Sequence, residues 1–192
     1  MSKNTAPPPL LVIVTGAPGS GKTTLARALA GACALPLLCK DDLKESLFDS
    51  LGWSDRAWSR RVGMASIRLL LLVAERILAA GQPVIVESNF RGALDTKAFM
   101  ALRERTPYAA LQLVCTCTRE VALARFAARW QAGERHPGHG EGEQLAELTR
   151  ALDANEFAPL ELGGETLWLD TTDPAAVDYD PLIAAIRTRL DA

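Results

Sequence analysis

Short apolar runs alternate along the chain with longer segments in which apolar residues recur at helical spacing. Three of these runs are almost wholly apolar, which is typical of strands in a parallel sheet covered by helices on both faces. The runs predict five strands, at residues 10–16, 35–40, 82–88, 111–118 and 166–172. The other segments predict helices at 21–34, 55–80, 94–104, 119–133 and 175–190, the last of them opened by Asp173 and Pro174. This alternation predicts an α/β fold in three α/β/α layers, with a five-stranded parallel sheet and right-handed crossovers.

The composition fits a single compact domain. The chain has 192 residues, of which 48% are hydrophobic, and its formal net charge is −2. We expect residues 1–9 to be a flexible leader and residues 10–192 to be one domain. A mildly acidic chain disfavours binding to a nucleic-acid backbone, but it is compatible with a small phosphorylated ligand in a local positive pocket.

The sequence favours a cytoplasmic protein. Three prolines precede the first apolar run, which leads directly into a glycine-rich loop, so we interpret the run as a strand and not as a signal peptide. The apolar stretch at 69–74 ends at Glu75 and is too short to span a bilayer. The four cysteines have neither zinc-site nor C-x-x-C spacing, so we expect buried, reduced thiols.

Residues 16–23, GAPGSGKT, match the phosphate-binding pattern G-x-x-x-x-G-K-[ST] and lie between a predicted strand and a predicted helix. The glycines let the backbone curl so that successive N–H groups point at a phosphate, and the start of the helix adds unpaired N–H groups. Lys22 has the reach to contact the β- and γ-phosphates, and the Thr23 hydroxyl is a ligand for Mg²⁺. The pattern therefore predicts ATP and Mg²⁺ as cofactors. The candidate nucleotide-binding residues are Gly16, Ala17, Pro18, Gly19, Ser20, Gly21, Lys22, Thr23 and Thr24.

A phosphate-binding loop alone does not distinguish a kinase from a GTPase switch or a motor ATPase. No asparagine is followed by lysine, so the guanine-recognition pattern N-K-x-D is absent, and an oligomeric ATPase module normally needs a longer chain. Residues 39–49, CKDDLKESLFD, favour a kinase, because an apolar strand ends there on adjacent carboxylates, at the sheet edge where ligands bind. Asp41 is the candidate that takes the proton of an acceptor hydroxyl, and Asp42 the candidate cap of the following helix. The alternative is that this acidic pair only caps the helix.

The segments GAPGSGKTTLARAL, KDDLK and VIVESNF together resemble the P-loop kinase group that includes phage polynucleotide kinase, chloramphenicol phosphotransferase, gluconate kinase and zeta toxins. The resemblance extends over about residues 10–135, and its paired aspartates after the second strand are similar to those of the polynucleotide-kinase-like branch. There the first aspartate is the general base, which implies this role for Asp41. An arginine three residues later helps that branch to hold the substrate phosphate. This chain has Lys44 at that position, and lysine lacks the bidentate fork of arginine.

Polar residues follow the third predicted strand, in VIVESNFR at 84–91. The resembling kinases carry an acidic residue and polar groups near the acceptor at this strand end, so Glu87 and Asn89 are candidates for contacts with the substrate or with magnesium-bound water. An ordinary polar exit from a strand is the alternative. Arg91 is a candidate substrate anchor, and its alternative is an exposed arginine.

Arg125 and Arg129 lie one helical turn apart after the fourth predicted strand, and Arg135 lies just beyond them. The resembling kinases use arginines of a lid to neutralise charge on the transferred phosphoryl group. This implies catalytic roles for Arg129 and Arg125, with Arg129 favoured. The alternative is a solvated helix face.

Residues 133–142, GERHPGHGEG, combine four glycines, a proline and both histidines, and they predict a mobile flap. We therefore expect a small helical lid over about residues 125–142. His136 and His139 have no obvious further metal ligand nearby, so we expect them at a hinge or a substrate contact.

The sequence predicts an ATP- and Mg²⁺-dependent kinase that transfers the γ-phosphoryl group to a hydroxyl of a small molecule. Residues 43–75, which follow the second strand, are expected to shape the acceptor pocket. The alternatives are a polynucleotide 5′-hydroxyl kinase and a nucleotide-dependent regulatory module with slow ATP hydrolysis. We expect neither a nucleic-acid nor a membrane partner, and either a monomer or a homodimer.

Overall fold

The chain folds into a parallel sheet between two layers of helices. The computed structural model describes residues 7–133, 135–140 and 143–191. The strands are β1 (Leu10–Gly16), β2 (Leu37–Cys39), β3 (Val84–Glu87), β4 (Ala109–Thr116) and β5 (Glu165–Asp170). The helices are α1 (Lys22–Cys33), α2 (Lys40–Leu51), α3 (Arg56–Ala79), α4 (Gly92–Arg105), α5 (Arg119–Gln131), α6 (Glu143–Asp153) and α7 (Asp180–Leu190). All neighbouring strands are parallel in the order β2-β3-β1-β4-β5, which confirms the predicted fold class.

The predicted strands are all present, and α2 is the helix expected after the second strand, whereas α6 and α7 differ from the prediction. Helix α6 lies where we predict none, and it buries Leu148 and Ala151. Helix α7 begins at Asp180, later than predicted, because Asp173 caps a separate 3₁₀ turn, Pro174–Ala176. The Asp173 carboxylate accepts a hydrogen bond from the Ala175 N–H at 3.0 Å. The Asp173-Pro174 start signal is therefore real, but it belongs to this turn.

Strand β1 lies at the centre of the sheet and is buried along its whole length. Its side chains alternate between two cores, one on each face of the sheet. Leu11 and Ile13 pack with residues of α3 and α4, while Val12 and Val14 pack with residues of α1 and α7. Burial on both faces explains why this strand reads as a continuous apolar run.

The register brings the ends of the strands together at one edge of the sheet. Glu87 at the end of β3 lies opposite Val14 on one side and Cys39 on the other. Gly16 at the end of β1 lies opposite Cys115 of β4. The loops that leave these strands therefore meet at the carboxyl edge, which is where ligands bind in open parallel sheets.

The structure bears on two expectations, one about the cysteine thiols and one about membrane-spanning segments. All four cysteines are free; Cys39 and Cys115 are buried as expected, whereas Cys33 and Cys117 are partly exposed. Among the described residues, no helix has both the length and the apolar character needed to cross a membrane.

Gln112 of β4 anchors the connection between α6 and β5 beneath this edge. Its side-chain amide donates to the Leu160 carbonyl oxygen at 2.8 Å and accepts from the Leu160 N–H at 2.9 Å. Both residues are buried, so the pair satisfies two backbone groups that have no access to water.

Replacing Gln112 should therefore reveal the cost of two unsatisfied buried groups. We expect Gln112→Leu to lower the free energy of unfolding by about 2 to 4 kcal/mol, measured by urea denaturation. Gln82→Leu makes the same chemical change at an exposed position and should shift stability by less than about 0.5 kcal/mol. Equal effects of the two changes would show that the Leu160 contacts contribute nothing.

Candidate active site

The loop between β1 and α1 has no space for side chains at two of its glycines. A Cβ on Gly16 would lie 2.3 Å from the Cys115 carbonyl oxygen, and one on Gly19 would lie 2.4 Å from the Ala122 carbonyl oxygen. Both glycines, and Gly21 as well, also have positive φ angles, which side chains strain. The backbone is thus curled tightly against β4 and α5, as a phosphate cradle requires.

Two further features fit the loop to an anion. Helix α1 begins at Lys22, and Gly21 at its N-cap has no side chain to cap the first N–H groups. The hydroxyl oxygen of Ser20 is buried and has no hydrogen-bond partner within the described part of the chain. Unpaired donors at a helix start and an unpaired buried hydroxyl are groups that a phosphate would satisfy.

Lys22 folds back over this loop. Its Nζ lies 3.4 Å from the Ala17 carbonyl oxygen and 4.0 Å from Oε1 of Glu87. Burial lowers the pKa of Lys22, although Glu87 and Asp41 oppose this effect. Burial also raises the pKa of Glu87 against the attraction of Lys22, and the Thr23 side chain is near enough to the same carboxylate to lower that pKa in part. Lys22, Thr23 and Glu87 therefore converge beside the loop.

Asp41 lies in the first turn of α2 and is held by two cations. Its carboxylate accepts from Lys40 Nζ at 2.9 Å and from Arg135 at 3.2 Å. Burial alone would raise the pKa of Asp41, but the charges of Lys40 and Arg135 outweigh that effect, and the pKa lies well below its usual range. About half of the side chain remains exposed, at 46%. Asp41 is thus an accessible, ionised carboxylate.

The prediction that Asp42 caps α2 is wrong. The N-cap residue is Cys39, which makes no side-chain capping hydrogen bond. Asp42 instead lies in the first turn and forms an exposed ion pair with Arg27 of α1, at 3.3 Å. The helix starts directly from the strand, so the acidic residues follow the cap position instead of occupying it.

Lys44 is buried between α2 and α3. Its Nζ donates to the Ser59 hydroxyl at 2.9 Å and lies 5.2 Å from the centre of the Phe48 ring. Burial and the nearby charge of Lys40 lower its pKa to about 7. Lys44, which the sequence predicts to contact the substrate, is therefore already paired with Ser59 inside the protein.

The two predicted lid arginines have different environments. Arg125 is committed to backbone carbonyl groups, since it donates to the carbonyl oxygens of Gly19, Thr171 and Thr172 at 3.3, 2.7 and 3.1 Å. It thereby ties the glycine loop to the segment after β5. Arg129 has a buried Nε without a hydrogen-bond partner among the described residues, and its charge lowers the pKa of Lys22. Arg129 therefore faces the phosphate loop with spare donor capacity.

The residues after β3 take up different contacts. Asn89 is half-buried, and its side-chain oxygen accepts from the Ser88 hydroxyl at 3.4 Å. Arg91 pairs with Glu156 at 3.2 Å, and both side chains are well exposed. The structure thus brings Glu87 to the loop, keeps Asn89 at the strand exit and directs Arg91 to the connection after α6.

The structure adds two residues that the sequence analysis does not name. Lys40 lies next to Asp41, and Glu45 contacts His139 with 3.0 Å between Oε1 and Nε2. Both lie in the segment CKDDLKESLFD, and Glu45 is one helical turn after Asp41, which is the signal that could have revealed it. Residues 134, 141 and 142 of the predicted lid, like residues 1–6 of the predicted leader, lie outside the described residues.

A cavity of about 230 Å³ lies against the first half of the loop. Gly16, Ala17 and Ser20 line one side of it, and Trp168 of β5 lines another. Neither Lys22 nor Asp41 lines this cavity, so the charged groups described above face a different space.

The fold and the loop define a nucleotide-binding protein with the architecture of the P-loop kinases. Residues 11–154 match the AAA domain family AAA_33. The chain belongs to this family.

Three relatives illustrate its similarities. A Chloroflexus aurantiacus protein provisionally described as a kinase superposes with a TM-score of 0.88 and 44% identity, over 94% of this chain and 98% of that one. A thymidylate kinase of Xanthomonas campestris pv. campestris is 30% identical over 214 aligned positions, which cover 99% of this chain and 90% of the relative. An uncharacterized protein of Mycobacterium tuberculosis is 29% identical over 153 residues, or 76% of this chain. The chain spans only 29% of that mycobacterial protein's length. These similarities support phosphotransferase activity in general.

The buried amine of Lys44 should make stability depend on pH. Its pKa is about 7 in the folded protein and 10.5 without burial, so between these values the unfolded chain binds more protons. Stability should rise with pH across this window, with a slope of up to about 1.4 kcal/mol per pH unit. We expect Lys44→Met to remove that contribution, measured by urea denaturation between about pH 7 and pH 10. Parallel curves for the variant and the wild type would contradict it.

Proposed function

We propose that this protein is an ATP- and Mg²⁺-dependent kinase that transfers the γ-phosphoryl group to a hydroxyl of a small molecule. One observation carries the proposal: the ionised carboxylate of Asp41 lies close enough to Lys22 of the phosphate loop to oppose the fall in its pKa. A nucleotide switch needs no carboxylate opposite its phosphates, whereas an acceptor hydroxyl needs one to take its proton. We assign this activity to a domain of residues 10–192, with residues 125–142 as its lid.

The nucleotide would be held by the loop and by α1. The inward-facing N–H groups and the Ser20 hydroxyl would contact the phosphates, and Lys22 would leave the Ala17 carbonyl oxygen to bind the β- and γ-phosphates. Thr171 lies against the same loop, because its hydroxyl donates to the Ser20 carbonyl oxygen at 2.9 Å. Arg125 fixes this segment, which we assign to the space beside the adenine.

Thr23 and Glu87 would hold the metal ion. Their side chains lie near each other beside Lys22, and oxygen ligands of this kind suit Mg²⁺. A bound Mg²⁺ would supply positive charge that neutralises part of the charge of the phosphates. Thr23 would ligate it directly and Glu87 through water.

In the transfer step, Asp41 would orient the acceptor hydroxyl and accept its proton as the oxygen attacks the γ-phosphorus, while the bond from that phosphorus to the bridging oxygen breaks and ADP leaves. Lys22 and Arg129 would stabilise the charge on the transferred group, since both face the loop and Arg129 has an unused buried donor. Asp41 is ionised at neutral pH, so its carboxylate carries no proton before the transfer. The paired aspartates after β2 favour the polynucleotide-kinase-like branch of the P-loop kinases.

Acceptor contacts are assigned by the partners that each candidate already has. Asn89 and Glu87 lie at the exit of β3, beside the loop, and we assign them to the acceptor side of the site. Lys44 and Arg91 would have to leave Ser59 and Glu156 to reach an acceptor. We therefore assign Lys44 to the wall of the acceptor pocket and Arg91 to its outer rim.

The Lys22→Ala variant tests the loop. A unit charge about 4 Å from a phosphate contributes about 4 kcal/mol at an effective dielectric constant near 20, so the variant should lose most of its thermal stabilisation by MgATP. Lys97→Ala removes a lysine from the exposed face of α4 and should keep the wild-type stabilisation. Full stabilisation of Lys22→Ala by MgATP would overturn the assignment of the loop.

The Asp41→Asn variant tests the chemistry. Asparagine keeps the shape of the side chain but cannot take a proton, so turnover should fall by about two to four powers of ten while MgATP affinity changes little. The acceptor is found first by screening metabolites, antibiotics, 5′-hydroxyl oligonucleotides and thymidylate for ATP consumption. Thymidylate is included because a relative of this chain is a thymidylate kinase.

Asp42→Asn is the matched control, because Asp42 only pairs with Arg27 at the surface. Its turnover should stay near that of the wild type. Near wild-type turnover in Asp41→Asn would remove Asp41 as the base. If every acceptor in the screen fails and ATP is only slowly hydrolysed, a regulatory module becomes the better reading.

A further inference from the structure

Residues 135–140, here called the lid segment, are seated on helix α2. The His136 ring stacks on Phe48 with 5.1 Å between ring centres, and its Nε2 lies 3.3 Å from Oδ1 of Asp49. Gly138 passes so close to the same ring that a Cβ there would lie 2.7 Å from it. Phe48 is fully buried and cannot easily yield, so the absence of a side chain at Gly138 permits this approach.

The seated segment meets α2 in two parallel charged contacts. Asp41 and Glu45 lie one turn apart on α2, and Arg135 and His139 lie four residues apart on the lid segment. Arg135 donates to Asp41 at 3.2 Å, and His139 Nε2 lies 3.0 Å from Oε1 of Glu45. The two contacts are joined, because the same Arg135 nitrogen that reaches Asp41 lies 3.4 Å from Nδ1 of His139.

The chemistry of arginine fixes the protonation of this cluster. A guanidinium only donates hydrogen bonds, so Nδ1 of His139 must accept, and the imidazole proton must lie on Nε2. Nε2–H then donates to the Glu45 carboxylate. His139 is 3% exposed, and burial together with the Arg135 charge lowers its pKa to about 3, so the ring stays neutral at physiological pH.

From this geometry we infer that His139 is a positioning residue: its neutral Nε2–H imidazole, anchored on Glu45, aims the Arg135 guanidinium at Asp41 and so orients the carboxylate that receives the acceptor proton. The orienting role rests on the proposed function of Asp41, whereas the protonation of His139 does not. A displacement of about 1 Å in a reacting group costs about two powers of ten in rate, so the aim of this contact matters.

The positioning of Arg135 requires a neutral His139 ring. A cation at this position would repel Arg135 and would compete with Arg135 for the nearby carboxylates. An apolar side chain would leave an N–H group of Arg135 without its acceptor. Asparagine places an amide oxygen near the position of Nδ1, so it preserves the acceptor that faces Arg135. Substitutions at one position therefore separate a positioning role from simple packing.

The first test reads the imidazole directly. The chain contains two histidines, so an untagged His136→Leu variant shows signals of His139 alone in long-range ¹H–¹⁵N correlation spectra. We expect the neutral Nε2–H form throughout the range from about pH 6 to pH 8. An imidazolium or the Nδ1–H form would overturn the inference, because neither has an acceptor for Arg135.

The second test compares turnover of MgATP with water as the acceptor. Relative to the wild type, we expect His139→Leu to lower kcat by about tenfold or more. The KM for MgATP should stay within about threefold, since the loop keeps its donors. His139→Asn should recover most of the lost kcat. Equal kcat values for His139→Leu and the wild type would overturn the inference.

Failure of the inference and failure of the proposed function are distinguishable. If Asp41→Asn hydrolyses MgATP as fast as the wild type, the base assignment fails, whatever the state of His139. If the wild type does not hydrolyse MgATP, amide exchange decides instead. The N–H groups of His139 and Gly140 are hydrogen-bonded within the lid segment, and their exchange should accelerate about tenfold or more in Arg135→Leu. Unchanged exchange in that variant would show that Arg135 does not hold the segment on α2.

Discussion

Backbone contact at the phosphate loop is the constraint on which the arrangement of the site depends. Gly16 lies against the carbonyl group of Cys115, and Gly19 lies against that of Ala122, both too close for a side chain. The loop is pressed between β4 and α5, and α1 starts directly after the loop. The first residue of α1 is Lys22. The position of the lysine is therefore fixed by the packing of glycines several residues earlier.

The pKa values of two carboxylates at the edge of the sheet shift in opposite directions because their surroundings differ. Glu87 is almost fully buried, and burial raises its pKa despite the neighbouring Lys22. Asp41 is half-exposed and touches both Lys40 and Arg135, so its pKa is lowered. Carboxyl groups whose pKa values are shifted in opposite directions suit different tasks. This difference supports Asp41 as the proton acceptor and Glu87 as a group that binds only when a cation compensates its charge.

The sequence predicted the strands and the glycine loop well, for physical reasons that particular residues make clear. Val12 and Ile13 face opposite cores, so burial on both faces produced the continuous apolar run from which β1 was read. Helix α6 was missed, because its burial depends on few residues, such as Leu148, after a glycine-rich stretch. Capping by Asp42 was wrong because cap preference is local, whereas the pairing of Asp42 with Arg27 depends on how α1 and α2 pack.

The lid segment shows why composition could not reveal the second half of the site. Glycine and proline between two helices predict mobility, and that prediction concerns the chain taken by itself. In the folded protein Gly138 has another role, because it permits the close approach to Phe48 that brings Arg135 to Asp41. The contact joins residues 94 positions apart in the chain. A local sequence pattern cannot show that two segments so far apart in the chain are in contact. Each segment nevertheless carries a recognisable pair of residues: Asp41 and Glu45 are one helical turn apart, and Arg135 and His139 have the same spacing. A pair of acidic residues in one segment and a pair of basic residues in another, with the same spacing, is therefore the sequence feature from which this interface could have been proposed.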